Sequence, residues 1–267
     1  MNRGAAMSLP RMKPQDGVAW ITGASSGIGA AVAIELARRG WTVAITARRV
    51  EALEAVAREA EGLSGRIVAH VGDVTDAQGM EGLAEAIESI HGPIALAFLN
   101  AGIAPGTKGS PVDLEGVELA MRINLFGVAK GLSAALGRMM TRGRGQIAVN
   151  ASLAGYRGVI SAAAYGASKA AAIHLCEALY LDSRRMGIRL QLVNPGFVDT
   201  PMTRRNRFAM PFLMSVEDGA RRIVDGFERG GFEITFPRRL AWMLKVARIL
   251  PYPVYFALIG HLARRQS

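Results

Sequence analysis

Short apolar runs alternate with longer helical stretches along this chain, and that alternation limits its fold more than any other feature. Val18-Ala19-Trp20-Ile21, Thr42–Thr46, Arg66–Val71, Ile94–Leu99, Gln146–Val149, Arg189–Val193 and Glu233–Phe236 read as strands. Ala30–Arg39, Val50–Ala60, Asp76–Ile90 and Ala162–Arg185 read as helices, the first stopped by Gly40. Continuous apolar strands that alternate with helices build a parallel sheet covered on both faces, with right-handed crossovers. The 267 residues, half of them hydrophobic, suffice for one such sheet without help from disulfides or metals. Cys176 is the single cysteine, so no internal disulfide can form, which fits a reducing, cytoplasmic setting.

Three segments are expected. Residues 1–16 read as a loose tail, because Ala5-Ala6-Met7 is too short an apolar stretch for a signal peptide and Pro10 and Pro14 interrupt the residues after it. Residues 17–237 read as the main body, and 238–267 as an apolar and basic extension. No internal repeat, low-complexity tract or linker divides the chain.

Thr22-Gly23-Ala24-Ser25-Ser26-Gly27-Ile28-Gly29 joins the first strand to the first helix. Glycines there let the backbone turn tightly and approach a pyrophosphate, while the helix N-terminus offers free N–H groups and a positive dipole end. A plain strand-to-helix turn also suits glycine, so the loop gains weight only from its place after the first strand of an alternating pattern. Tyr165 and Lys169 lie four residues apart, which puts both on one face of a helix. A free phenol titrates near 10 and is a poor acid–base group at neutrality. A cation close to it stabilises the phenolate and lowers that value. A surface pair with the same spacing is common, so further positions must decide.

Those positions are present in order. Asp73-Val74 follows strand three, Asn100-Ala101-Gly102 closes strand four, and Asn124 lies in Asn124-Leu125-Phe126-Gly127 of the preceding helix. Asn150-Ala151-Ser152 follows strand five, and Pro195-Gly196 follows strand six. Together with a glycine spacing of Gly-x-x-x-Gly-x-Gly, the chain resembles the short-chain dehydrogenase/reductase family over roughly residues 17 to 236. The resemblance implies an α/β fold: a single Rossmann-type, doubly wound parallel sheet of about seven strands, in the order 3-2-1-4-5-6-7. It also implies a homodimer or homotetramer.

The same resemblance assigns roles. Tyr165 would carry the proton to or from the substrate oxygen, and Ser152 would hydrogen-bond that oxygen. Lys169 would lower the Tyr165 pKa and bind the nicotinamide ribose. Asn124 would hold a water that links Lys169 to solvent. Gly23, Ser25, Ser26, Gly27, Ile28 and Gly29 would cradle the pyrophosphate, and Asp73 and Val74 would meet the adenine. Asn100, Ala101 and Gly102 would flank the cofactor, with Pro195, Gly196, the Val198 backbone and Thr200 at the nicotinamide end. The hydride would come from the cofactor, so the protein supplies orientation and electrostatics. No metal is expected, since the four histidines lack ligand-like spacing.

Cofactor choice turns on the end of strand two. An acid there would bond the ribose 2′-hydroxyl of NAD, whereas an arginine would pair with the 2′-phosphate of NADP. The sequence reads Thr46-Ala47-Arg48-Arg49, so NADP is expected, with Arg48 on the phosphate. Ser26 stands where some NADP-preferring members of the family carry a basic residue.

Two regions bear on the substrate. Phe197–Ser215 should cover it, with Met202, Phe208, Met210, Phe212, Leu213 and Met214 as an apolar lining, and Arg204, Arg205 and Arg207 either facing water, the favoured reading, or meeting an anionic group of the substrate. The net charge is +10, and six of those charges (Arg238, Arg239, Lys245, Arg248, Arg264, Arg265) lie after residue 237, where no acid occurs. The excess sits in an apolar tail without a recognisable module, so no nucleic-acid partner is expected. The longest charge-free run, Ile249–Gly260, is 12 residues with two prolines, too short for a bilayer span. Leu240–Leu250 and Val254–Leu262 read as two short amphipathic helices for an interface: a peripheral membrane contact through 240–262, a lid over the site, or a subunit contact. The leading reading is an NADPH-dependent reductase of a lipophilic carbonyl. Its alternatives are a dehydrogenase working oxidatively and a non-catalytic dinucleotide-binding regulator.

Overall fold

The computed structural model describes residues 9–105, 113–206 and 209–264. Ala5-Ala6-Met7, Arg207, Phe208 and Arg265 therefore lie outside the described residues, as do the side chains of Leu262 and Arg264. Seven strands form one parallel sheet: β1 (Val18–Thr22), β2 (Thr42–Ala47), β3 (Arg66–Val71), β4 (Ile94–Leu99), β5 (Gly145–Asn150), β6 (Ile188–Pro195) and β7 (Glu233–Phe236). Their order is β3-β2-β1-β4-β5-β6-β7, as expected. All strand pairs are parallel, which the wholly buried runs of β1, β4 and β5 require.

The helices are α1 (Gly27–Arg38), α2 (Val50–Arg58), α3 (Ala77–His91), α4 (Leu114–Met121), α5 (Val128–Arg142), α6 (Ala163–Arg185), α7 (Val216–Arg229), α8 (Arg238–Ile249) and α9 (Tyr252–Arg264). One core layer packs Val32, Leu36, Leu53, Ile223 and Phe227 of α1, α2 and α7 against Ile21, Ile45 and Phe98. The other packs Met80, Ile87, Leu132, Met139 and Ile173 of α3, α5 and α6 against Trp20, Leu99 and Val149. Alternate residues of one strand thus serve opposite layers, as the two-residue period of a strand demands.

Several boundaries differ from the sequence reading. Helix α1 begins at Gly27 rather than Ala30, so the glycine turn runs directly into helical N–H groups. Helix α7 carries a start signal that the reading passed over: Ser215 accepts from the Asp218 N–H, with Glu217 and Asp218 in the first turn. A π-helical turn, Arg122–Gly127, joins α4 to α5. The stretch Leu114–Arg142 is 29 residues long and, by length and composition, apolar enough to cross a membrane. Here Val128, Leu132, Ala135 and Met139 face the sheet, so its apolar character serves the core.

Candidate active site

The carboxyl ends of β1, β2, β4, β5 and β6 open on a cleft of about 550 Å³. Its floor is built by the turns that close those strands, the place where an open α/β sheet leaves a crevice between helices running to opposite faces. Gly23, with φ +67°, comes so close to β4 that a Cβ there would sit 2.5 Å from the Ala101 Cα. Gly27, at φ +58°, opens α1, and its N-cap Ser26 makes no side-chain cap, so the first N–H groups of α1 remain available to a ligand.

Five hydrogen bonds made by Thr22, Asn100 and Asn150 hold the floor together. Thr22 Oγ1 accepts from the Asn100 and Ala101 N–H groups at 3.1 and 3.2 Å. Asn100 Nδ2 donates to the Thr22 and Gly23 carbonyls at 3.1 and 3.0 Å. Asn150 Nδ2 donates to Asn100 Oδ1 at 2.8 Å. The ends of β1, β4 and β5 thereby form one hydrogen-bonded unit.

Ser152, Tyr165 and Lys169 line one wall of this cleft. Lys169 is buried and its Nζ donates to the Asn150 carbonyl at 2.7 Å. Burial pushes the Lys169 ammonium down to about 8. Tyr165 shifts the other way: burial raises its phenol above the ordinary range, and a hydrogen bond with Ser152 opposes the rise. This differs from the expected lowering by Lys169. The lysine is directed at Asn150, with its Nζ 5.7 Å from the Tyr165 ring centre, and the loss of water around both groups outweighs their mutual attraction. Ser152 Oγ also donates to the Pro195 carbonyl at 3.4 Å and accepts from the Ala154 N–H at 3.1 Å, so its rotamer is held from two sides.

Most expected residues line the cleft: Gly23, Ser25, Ser26, Gly27, Ile28, Arg48, Asp73, Val74, Asn100, Ala101 and Gly102, and also Ser152, Tyr165, Lys169, Pro195, Gly196, Val198 and Thr200. Gly29 and Asn124 do not. Gly29 packs behind the floor, where a Cβ would come 2.5 Å from both Asn100 Nδ2 and the Gly23 carbonyl. Asn124 is fully buried; its Oδ1 accepts from the Ile103 N–H, and its Nδ2 donates to the Ile103 carbonyl and to Ser168 Oγ, all within 2.9 Å. Its side chain thus braces the segment after Gly102 against α6. Asp73 is held below the usual carboxylate range, first by the Thr75 N–H at 2.8 Å and further by Arg48 and Lys130.

The loop after β6 differs from its expected form. Met202 and Arg205 line the cleft, whereas Phe212 and Leu213 are exposed and Met214 packs on the core through its bridge to Val198. Arg204 pairs with Asp199 at the surface, as a solvated arginine does. Thr203 is a contributor the sequence reading missed: its hydroxyl donates to the Val198 carbonyl at 2.5 Å and bonds the Thr200 hydroxyl at 3.1 Å, fixing the strand-six loop over the cleft. Nothing in its local sequence sets it apart from any other threonine.

The sequence matches the short chain dehydrogenase family over residues 17–210, most of the chain. The chain belongs to the short-chain dehydrogenase/reductase family. It is 38% identical to an uncharacterized oxidoreductase of Myxococcus xanthus over 90% of this chain and 94% of that one. It is 34% identical to a putative ketoacyl reductase of Streptomyces coelicolor, covering 79% and 83% of the two chains. Among solved structures it is similar to an actinorhodin polyketide ketoreductase with NADPH, at 27% identity and a TM-score of 0.76, covering 86% of this chain and 99% of that one. The protein is an NAD(P)-dependent dehydrogenase/reductase. Its residues fit a dinucleotide: Gly23 and Gly27, both at positive φ, turn the chain tightly from β1 into the open N-terminus of α1. No group of three or more His, Cys, Asp or Glu side chains able to hold a metal occurs among the described residues.

Proposed function

We propose that this short-chain dehydrogenase/reductase uses NADPH in preference to NADH and reduces a lipophilic ketone or aldehyde. One observation carries the reading: a single continuous cleft runs from Arg48 and Arg49 at the end of β2 to Ser152 and Tyr165 at the other end. At the β2 end Ala47 stands where a carboxylate would select the 2′-hydroxyl, and an exposed guanidinium suits a 2′-phosphate instead. The cofactor, when bound, supplies the hydride. Gly23, Ser25, Ser26, Gly27 and Ile28 hold its pyrophosphate, Asp73 and Val74 its adenine, and Lys169 the ribose beside the nicotinamide. Tyr165 gives its proton to the substrate oxygen, and Ser152 holds that oxygen in place by a hydrogen bond. Burial holds the Tyr165 phenol above its ordinary range, which favours the protonated form that a reduction draws on.

Met202 and Ile103 put apolar surface at the substrate side of the cleft, which supports a lipophilic substrate. Exposed Phe126, Met140 and Leu181 on the α4–α6 side support self-association as a homodimer or homotetramer. The test is NADPH and NADH consumption against a series of ketones graded by chain length. Turnover with NADPH that rises with chain length is expected. Equal use of both cofactors, or a preference for the shortest ketones, would remove the corresponding half of the reading.

A further inference from the structure

The last two helices are fastened to the catalytic body by one face and bare on the other. Arg157, five residues after Ser152, donates through Nη1 to the Ala247, Arg248 and Leu250 carbonyls at 2.5, 3.0 and 2.7 Å, closing the C-terminus of α8. Its guanidinium also lies over the Tyr255 and Tyr252 rings, 4.0 and 5.0 Å from their centres. The Tyr255 hydroxyl donates to the Gly158 carbonyl at 2.5 Å. Further along α8, Lys245 pairs with Glu233, which Tyr156 and Asn194 also bond, and Leu240 packs against the Gly196 position. The pair α8–α9 is therefore seated on the loop that joins Ser152 to Tyr165.

The outer face is of another kind. Trp242, Met243, Val246 and Ile249 recur along one side of α8, exposed at 68, 62, 54 and 81%. Tyr252, Val254 and Phe256 of α9 continue it, and the Tyr252 and Phe256 rings stack with centres 5.7 Å apart. Val159 and Ile160, at the tip of the loop that Tyr255 touches, are exposed as well. Exposed Arg238, Arg239 and Arg248 flank this surface, and no carboxylate side chain occurs after residue 237.

We infer that the outer face of α8 and α9 docks on an anionic lipid surface and thereby holds the mouth of the active site against the bilayer. Large apolar side chains among cations, with aromatic residues at the boundary, are what an interfacial helix presents to lipid. A second copy meeting this face by a two-fold axis would bring the same arginines against themselves with no acid to answer them. A soluble polyanion would answer the arginines and leave Trp242 and Ile249 in water. A bilayer with anionic headgroups satisfies both needs at once. The inference does not depend on which carbonyl is reduced, because docking is read without cofactor or substrate.

The molecule carries its own probe. Of its three tryptophans, Trp20 and Trp41 are buried and Trp242 is exposed, so a shift of emission on docking reports Trp242. The full-length protein is mixed at low salt with phosphatidylcholine vesicles that contain phosphatidylserine, and with vesicles of phosphatidylcholine alone. The expected result is co-sedimentation and a blue shift with the former, weakened by added salt, and the loss of that shift in Trp242→Phe. Arg238→Gln, Arg239→Gln and Arg248→Gln together should lower vesicle affinity on the order of a hundredfold, given roughly fivefold per cation at an anionic surface. Trp242→Ala with Ile249→Ala should also weaken binding, with the far-ultraviolet circular dichroism unchanged. A wild-type protein that ignores anionic vesicles at low salt overturns the inference. So does a blue shift that grows with protein concentration alone, which would assign the face to a second copy.

Discussion

Lys169 Nζ donates to the Asn150 carbonyl at 2.7 Å, so the helix that carries Tyr165 is tied to the strand end that leads into Ser152. The bond holds the buried ammonium in one place, beside Tyr165 and at the back of the cleft. It joins two residues 19 apart in sequence, and Asn150 in turn holds Asn100 of the next strand. Tyr165, Ser152 and the glycine turn thus share one rigid frame.

Burial lowers the Lys169 pKa to about 8, and that direction sets the sign of the pH effect. Below about 8 the ammonium is present; above it the charge is lost. Tyr165, shifted upward, stays protonated across the same range, so the tyrosine does not limit the rate first. Reduction should therefore be level at lower pH and fall as pH rises through about 8, because the phenolate left after proton transfer loses its cation. Lys169→Arg, which keeps its charge, should move the fall to higher pH. A kcat/KM profile for reduction checks this, and a profile that stays flat well above pH 8 in the wild type contradicts it.

Tyr165→Phe deletes a hydroxyl and nothing else. Cofactor affinity, measured by quenching of protein fluorescence, should be little changed, while turnover drops by roughly two to four orders of magnitude. Substantial residual reduction by this variant would mean that another group delivers the proton.

Arg48→Ala should weaken NADPH binding by about ten- to a hundredfold, the worth of a charge-assisted contact, and leave NADH binding nearly untouched. Titration of wild type and variant with both cofactors separates the effect from a general loss of the site. An equal loss for the two cofactors would place Arg48 on a shared part of the dinucleotide.

Gly29→Ala tests the floor from behind. The added Cβ would stand 2.5 Å from Asn100 Nδ2 and from the Gly23 carbonyl, and the carbonyl belongs to the backbone of the turn. Overpacking of this kind costs about 1–3 kcal/mol, so Tm should fall by several degrees. Cofactor affinity should fall with it, because Gly23 and Asn100 both line the cleft. Gly62→Ala is the control for position, since its Cβ would meet nothing within 4 Å, though its φ of +80° still carries a backbone strain. A Gly29→Ala protein with unchanged cofactor affinity would show that the floor tolerates the shift.

Local chemistry made much of this protein legible in its sequence. A strand buried on both faces is apolar along nearly its whole length, which exposed β1 and β4 as members of a parallel sheet before any contact was known. A helix brings residues four apart to one face, which paired Tyr165 with Lys169. A turn that needs positive φ favours glycine, which marked Gly23 and Gly27. The tertiary structure decided what depends on distant partners. Asn124 braces Ile103 and Ser168, 21 and 44 residues away, and no periodicity announces such a bond. Arg157, unremarkable in its own neighbourhood, fastens the last two helices 90 residues later, because only folding brings the open carbonyls of α8 to it. The Tyr165 pKa rises for the same reason: its sequence neighbours supply the cation, but the amount of water left around phenol and ammonium is a property of the packed cleft.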